Sequence, residues 1–270
     1  MAIDTLDKLV AGLGASQNLV INKASISTQA AGGMTSLWRA IGNPAQGAIP
    51  GAAATCEKTL IGAWNFTNPT SPALSYIGQL NILGTISHNF IVYDRLAHMG
   101  GLNGTTTTAQ TVNLSIPTGR NAVYTDSDLE WFCEIYTDIG TTGVTATVTY
   151  VDEANNSGTF TFTLGGASPA NQDSRLFPLN SATTNLGATK KIKSITSVQH
   201  ATTGTAGSYG FTVAKRLCAV NMGQPNVGTT NDFAQIGLPK VPDNACIWFA
   251  VWSSTTSSGV IYGDMKLVQG

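Results

Sequence analysis

Val144-Thr-Ala-Thr-Val-Thr-Tyr-Val151 decides the class of fold. Apolar residues at 144, 146, 148 and 150 alternate with threonine, the two-residue period of a strand with one buried and one wet face. Thr159-Phe-Thr-Phe-Thr-Leu164 repeats the pattern, and the polar Asp152-Glu-Ala-Asn-Asn-Ser-Gly158 between them reads as a hairpin connection. Working outward, Asn89 to Asp94, Ala109 to Ile116 and Leu129 to Tyr136 read as strands upstream, as do Ile192 to Gln199, Gly210 to Leu217, Ile247 to Trp252 and Val260 to Val268 downstream. β-Branched and aromatic residues dominate these nine segments, and almost no helical pattern separates them. Parallel strands need long, usually helical crossovers, so the sheets should be mainly antiparallel. The expected fold is all-β, an antiparallel two-sheet sandwich or jelly roll.

Three further strand pairs are expected to be joined by hydroxyl- and glycine-rich turns. These are Glu134 to Tyr136 with Thr145 onward through Thr141-Thr-Gly143, Ile195 to Gln199 with Phe211 onward through Thr202 to Gly207, and Ile247 to Trp252 with the last segment through Ser253 to Gly259. Glycine tolerates positive φ and Ser/Thr side chains bond the turn backbone, so each is expected to be a hairpin. At the amino end Leu6, Leu9, Val10 and Leu13 recur at helical spacing, with Asp4 or Thr5 as cap and Gly14 as stop. So short a helix is marginal alone and is expected to dock on the chain or on a neighbour. Residues 1–16 are therefore expected to form a helical arm. Residues 17–77, rich in Ala, Gly, Asn and Pro, should form a loop-rich segment packed on or exchanged with a β-sandwich domain over 78–270. That segment holds Trp38 and Trp64, which the core or an intersubunit contact would take.

The 270 residues are 42% apolar but only 11% charged, against roughly 25% in an average globular protein. The surface is therefore built from Thr, Ser, Asn, Gln, Ala and Gly. Fourteen Lys+Arg against 15 Asp+Glu make no basic stripe for phosphate contacts, so no nucleic-acid partner is expected. No apolar run approaches the roughly 20 residues that span a bilayer, and Met1-Ala-Ile-Asp4 lacks the start of a secretory signal, so no membrane partner is expected either. Cys56, Cys133, Cys218 and Cys246 show no C-x-x-C or zinc spacing. They read as buried free thiols, a disulfide being the alternative if the protein ends up outside a cell.

Motifs for catalysis are sparse. His88, His98 and His200 sit in no metal-ligand spacing, and G-x-S-x-G is absent; each histidine is expected at a surface or a strand end, bonded to its neighbours. Asp126-Ser-Asp128-Leu-Glu130 places three carboxylates on one face of an extended strand, but Trp131 stands where a calcium loop needs glycine. A solvated strand entry is the expected reading. Were the chain a polysaccharide hydrolase, Asp126, Asp128 or Glu134 would be the acid and base. Tyr93-Asp-Arg-Leu96 sets an acid beside a base, yet adjacent strand residues face opposite ways, so each should pair with another element. No catalytic residue, cofactor or metal is assigned, and the chain is expected not to be an enzyme.

Thr35-Ser-Leu-Trp-Arg39 followed by Gly42-Asn-Pro44, then Tyr93-Asp-Arg-Leu96 with His98, Thr108-Ala-Gln-Thr-Val112, and Ala245-Cys246 after Gly237-Leu-Pro239 give the chain a likeness. From about residue 5 to its end it resembles structural proteins of tailed bacteriophages. The resemblance implies a virion component, a head decoration or cement protein on the capsid surface, present in the host cytoplasm during assembly. It also implies the major capsid protein as partner and a β-rich homo-oligomer, trimeric by preference. Leu6, Leu9, Leu13, Trp38 and Trp64 are the candidate partner-binding residues. A glycan-binding tail-fibre or receptor-binding module, with Trp or Tyr as sugar platforms, is the rival reading.

Overall fold

A computed structural model describes residues 3–29, 31–118, 129–166, 173–180, 184–187, 191–204 and 206–270. It is all-β and antiparallel, with the short amino-terminal helix in place. Helix α1 (Leu6–Gly14) is capped by the Thr5 hydroxyl, which accepts from the Lys8 N–H. All nine anticipated strands form: β6 (His88–Asn103), β7 (Gln110–Ser115), β8 (Leu129–Thr137), β9 (Val144–Asp152), β10 (Ser157–Leu164), β12 (Ile192–His200), β13 (Ser208–Met222), β16 (Ile247–Ser253) and β17 (Ile261–Gln269). Between and before them lie β1 (Gln17–Lys23), β2 (Gly33–Ser36), β3 (Gly42–Asn43), β4 (Ala54–Thr55), β5 (Ser75–Gly84), β11 (Arg175–Pro178), β14 (Thr229–Asp232) and β15 (Lys240–Val241).

The central sheet runs β13-β8-β11-β2-β16-β6-β4, and β13 also pairs with β6 along their length. Strands β13, β8, β11, β2, β16 and β6 thus close into a barrel, and β4 extends the free edge of β6 beyond the start of β16. A four-stranded sheet, β10-β9-β12-β7, covers one side of this barrel, and a sheet built on β14-β5-β17-β1-β3 covers another.

Alternation along the barrel walls supplies three cores. Phe132 and Trp248 point inward with Met34, Ile91, Tyr93 and Leu176. Trp131, Cys133 and Ile135 of β8 point out against Val144, Val148, Phe160 and Phe162 of the four-stranded sheet. Ile247, Phe249 and Val251 of β16 point out against Ile21, Ile77, Leu80 and Met265 of the other sheet. Each interface is a sandwich of two sheets with alternate residues interdigitating.

The β9–β10 connection is a hairpin, pairing Val151 with Ser157. The three hydroxyl- and glycine-rich turns are not hairpins. β8 pairs with β11 and β13, whereas β9 pairs with β10 and β12. β12 and β13 likewise lie in different sheets, as do β16 and β17. Each turn is a corner at which the chain leaves the barrel wall for a covering sheet, or returns. Gly207, at φ +84°, serves the second corner: a Cβ there would lie 2.2 Å from the Asp138 carbonyl oxygen. Residues 17–77 do hold long loops and short strands, but β1 joins a covering sheet and β2 the barrel itself, so this segment shares the cores of the rest.

Candidate functional site

Inward alternation on β6 and β8 brings Arg95 and Glu134 into the barrel, although each sits in an apolar stretch of sequence. Both side chains are fully buried, and Arg95 Nη2 lies 2.6 Å from Glu134 Oε2. The carboxylate accepts Ser36 Oγ–H at 2.7 Å from β2 and Thr212 Oγ1–H at 2.8 Å from β13. Tyr136 Oη donates to Glu134 Oε2 at 3.1 Å and lies 3.1 Å from Arg95 Nη2. Arg95 Nε donates to His98 Nδ1 at 3.1 Å. The guanidinium is sandwiched by aromatic faces, 4.5 Å from the Trp38 ring centroid and 4.9 Å from that of Trp248, a cation–π arrangement.

Burial alone would raise the Glu134 pKa, but the Arg95 charge and the hydrogen bonds from Arg95, Ser36 and Thr212 outweigh it and hold the carboxyl below its usual range. Burial would likewise lower the Arg95 pKa, and the Glu134 charge reverses that, so both stay ionised. An ion pair without solvent contact, its carboxylate bonded from three strands, fixes the relative register of barrel walls. Trp38 covers this end of the barrel: Gly47 and Gly62 lie against its ring, and Nε1 donates to the Ala48 carbonyl at 2.9 Å.

Ser36, Trp38, Arg95, His98 and Cys246, distant in sequence, thus converge on one buried cluster. Asp94, on the opposite face from Arg95, accepts the Cys246 N–H at 2.9 Å, so acid and base do pair with other elements. The histidines are buried and not at the surface. His88 begins β6 and His200 ends β12, where its Nε2 lies 2.7 Å from Tyr209 Oη, while His98 is within β6. His98 meets the buried Trp38 ring edge-on and His200 stacks on Tyr209, while His88 lies on the same phase of β6 as Phe90 and Val92.

Of the carboxylates considered as acid or base, Asp126 and Asp128 lie outside the described residues. Glu130 accepts from Tyr93 Oη at 3.0 Å and bridges Arg216 at 3.0 Å. Among the described residues no three His, Cys, Asp or Glu side chains gather as a metal site requires. All four cysteines are buried free thiols.

The residues proposed for partner contact divide. Leu9 is buried and Leu13 packs at Gly78 on the outer side of β5 and β17, beside Val268. Leu6 and Val10 remain 63% and 60% exposed on the other flank of α1. Val20 and Tyr262 are likewise exposed, on the outward phase of β1 and β17. Trp38 and Trp64 are buried in the chain's own cores, Trp64 edge-on to Phe249 at 4.9 Å, and present no surface to a partner.

Two open clefts hold polar groups. One of 740 Å³ is lined by Thr55, Glu57, Ile116, Lys240, Asp243 and Asn244. Another, of 430 Å³, lies at the opposite end of β6, where Trp252, Asn89 and Asn221 form a row across β16, β6 and β13. Trp252 escaped notice in the sequence because it ends an apolar strand. Its signal is position: it follows the strand's last buried pair before a serine-rich turn.

No protein-family model matches the chain, and no curated protein matches it. Among solved structures, the crystal structure of the infectious bursal disease virus VP2 subviral particle aligns over 94% of this chain and 81% of that one, with 9% identity and a TM-score of 0.18. At that score the alignment carries no argument about fold or function.

Proposed function

We propose that this chain is a non-enzymatic structural protein of a tailed-phage virion, which binds the exterior of the capsid as a homo-oligomer and cements it. The observation that carries the reading is the division of residues between interior and surface. The Arg95–Glu134 ion pair is sealed in the barrel, whereas the outside of the molecule exposes Leu6 and Val10 on α1, beside the Asp4–Lys8 ion pair, and Val20 and Tyr262 on β1 and β17. With a net charge of only −1 over the 270 residues, repeated copies meet with little charge repulsion, and contiguous exposed apolar area marks contact sites. The resemblance to phage structural proteins supports the same reading and names the partner as the major capsid protein. A ligand that binds only the assembled shell stabilises it by RT ln(1 + [L]/Kd) per site.

Size exclusion with mass detection, on the chain alone and mixed with undecorated heads of its phage, tests this. A discrete oligomer that co-elutes with heads is the expected result. Deleting residues 1–16, or replacing Leu6 and Val10 with serine, should abolish co-elution while the β-sheet circular dichroism is retained. Undiminished binding by both variants would remove the arm from the interface, and failure of the unaltered protein to bind heads would overturn the cement reading.

A glycan-binding module is the second reading, favoured by Trp252. The ring is 39% exposed, beside the amides of Asn89 and Asn221 and the hydroxyls of Ser87 and Ser254 in the 430 Å³ cleft, an aromatic platform flanked by hydrogen-bonding groups. Retention on a host glycan panel, lost in Trp252→Ala, would favour it; no retention across the panel would remove it.

A further inference from the structure

The 740 Å³ cleft is bordered by one strand from each of the three sheets: β4 of the barrel, β7 of the four-stranded sheet and β15 of the other covering sheet. Each is paired on one side only, β4 with β6, β7 with β12 and β15 with β5. Register fixes which main-chain groups face away from those partners. The Cys56 N–H donates to the Leu96 carbonyl at 2.9 Å, so Thr55, opposite Ala97, belongs to a non-hydrogen-bonded pair. The Ile116 N–H donates to the Lys193 carbonyl at 3.3 Å, which puts Ser115, opposite Ser194, in the same kind of pair. The Ile77 N–H donates to the Pro239 carbonyl at 3.0 Å and does the same for Lys240, opposite Tyr76. The N–H and C=O of a residue so paired point off the free edge of its strand. Thr55, Ser115 and Lys240 line the cleft and are exposed, and among the described residues no hydrogen bond takes their main-chain groups.

Edges elsewhere are capped by side chains. At β10 the Asn185 carboxamide accepts the Thr161 N–H at 2.6 Å, and the Asn185 N–H donates to the Thr161 carbonyl at 3.4 Å. At β1 the Asn43 carboxamide donates to the Val20 carbonyl. An uncovered edge is a template for pairing with another chain, and here three border one cleft whose apolar lining includes the buried Ile116, Val241 and Pro242. The charged residues of the cleft are Glu57, Asp243 and Lys240, all exposed, two carboxylates against one ammonium. Lys58, next to Glu57, does not redress this balance, because its Nζ is held by the Phe66 carbonyl at 2.6 Å and Asn68 Oδ1 at 2.5 Å. The segments that carry the two carboxylates are joined, the Lys58 N–H donating to the Asn244 carbonyl at 3.2 Å.

We propose that this cleft takes an extended segment of another protein chain, which adds through its main chain to the open edges at Thr55, Ser115 and Lys240. Its apolar side chains lie toward Ile116 and Val241, and a lysine or arginine lies beside Glu57 and Asp243. Strand addition draws affinity from main-chain hydrogen bonds and specificity from alternate side chains. A basic residue balances the charge of the cleft, whereas an acidic one would be repelled by the carboxylates. Such a cleft suits an assembly protein and an adhesin alike, so its test uses no phage heads and its outcome is separate from theirs.

Short peptides from a random display library are selected on the immobilised full-length protein, and the enriched sequences are synthesised with blocked ends. The expected sequences alternate apolar with other residues and include a lysine or arginine, and their binding slows amide exchange at Thr55, Ser115 and Lys240. Thr55→Pro and Ser115→Pro each remove an N–H that faces the cleft and serves no partner strand. Each should keep its far-ultraviolet circular dichroism and bind the peptides about fivefold or more weakly. Glu57→Gln combined with Asp243→Asn leaves the backbone untouched and should weaken the same peptides by a similar factor, with less dependence on salt; if a proline variant fails to fold, this one decides. Failure of any peptide to enrich over the bare support, exchange unchanged at all three amides, or undiminished binding by the folded variants would each overturn the proposal.

Discussion

Arg95 and Glu134 exemplify a buried pair whose partners matter more than its own attraction. Removing one member leaves the other charged and dry, so Glu134→Gln or Arg95→Met should each cost about 3–5 kcal/mol in denaturant unfolding. Replacing both together should cost much less than the sum, giving a large coupling in the double-mutant cycle; additive losses would show that the pair is not the unit. Because the folded Glu134 pKa is lowered, its contribution is present above the unfolded value and is lost as pH falls through the folded one. Lys23 gives the opposite case. Its ammonium is buried against the Ala40 and Pro44 carbonyls, each at 2.8 Å, and burial lowers its pKa to about 8. Between pH 8 and the unfolded value the unfolded chain binds more protons, so this residue's contribution to stability rises with pH. The buried thiols of Cys133, Cys218 and Cys246, whose pKa values burial raises, act in the opposite sense over the same range. The test is therefore a difference: the stability of the unaltered protein minus that of Lys23→Met should climb by about 2–3 kcal/mol from pH 8 to 10.5. A flat difference would remove Lys23 as the titrating group.

At the level of elements, corners and not hairpins shape the molecule. Gly207 occupies positive φ against the Asp138 carbonyl at the return from β12 to β13, so Gly207→Ala should cost about 1–3 kcal/mol in thermal or denaturant unfolding. An unchanged midpoint would show that the corner relaxes freely. Much of the strand inventory was legible because buried and wet positions alternate. β1 was not, because its inward phase ends in Lys23 while its outward phase carries Val20. β5 was missed because Gly78 interrupts an apolar run that lacks alternation. The corners were misread because the same hydroxyl and glycine chemistry serves a hairpin and a change of sheet; only pairing with distant strands distinguishes them. The buried site was hidden for the same reason. Glu134 in Trp131-Phe-Cys-Glu-Ile-Tyr136 was the local signal, an ionisable residue on the inward phase of an otherwise apolar strand, but its partner Arg95 lies 39 positions away.

Across the whole molecule, the barrel makes its three cores interdependent. β13 shows this along one strand: Tyr209, Phe211 and Val213 enter the core beneath the four-stranded sheet, while Cys218, Val220 and Met222 enter the core on the other side. β16 divides by face, Trp248 and Ala250 lying inside the barrel while Phe249 and Val251 pack outside. Loss of either covering sheet would strip apolar area from a wall that also lines the barrel, so neither sandwich can come apart without weakening the other. One cooperative transition follows. Phe211→Ala and Phe249→Ala, on opposite sides of the barrel, should each cost about 3–5 kcal/mol and shift the same single transition, with tryptophan fluorescence and far-ultraviolet circular dichroism coincident. If either substitution splits the transition, leaving one probe at its original midpoint, the sheet on that side unfolds on its own and the barrel does not couple the cores.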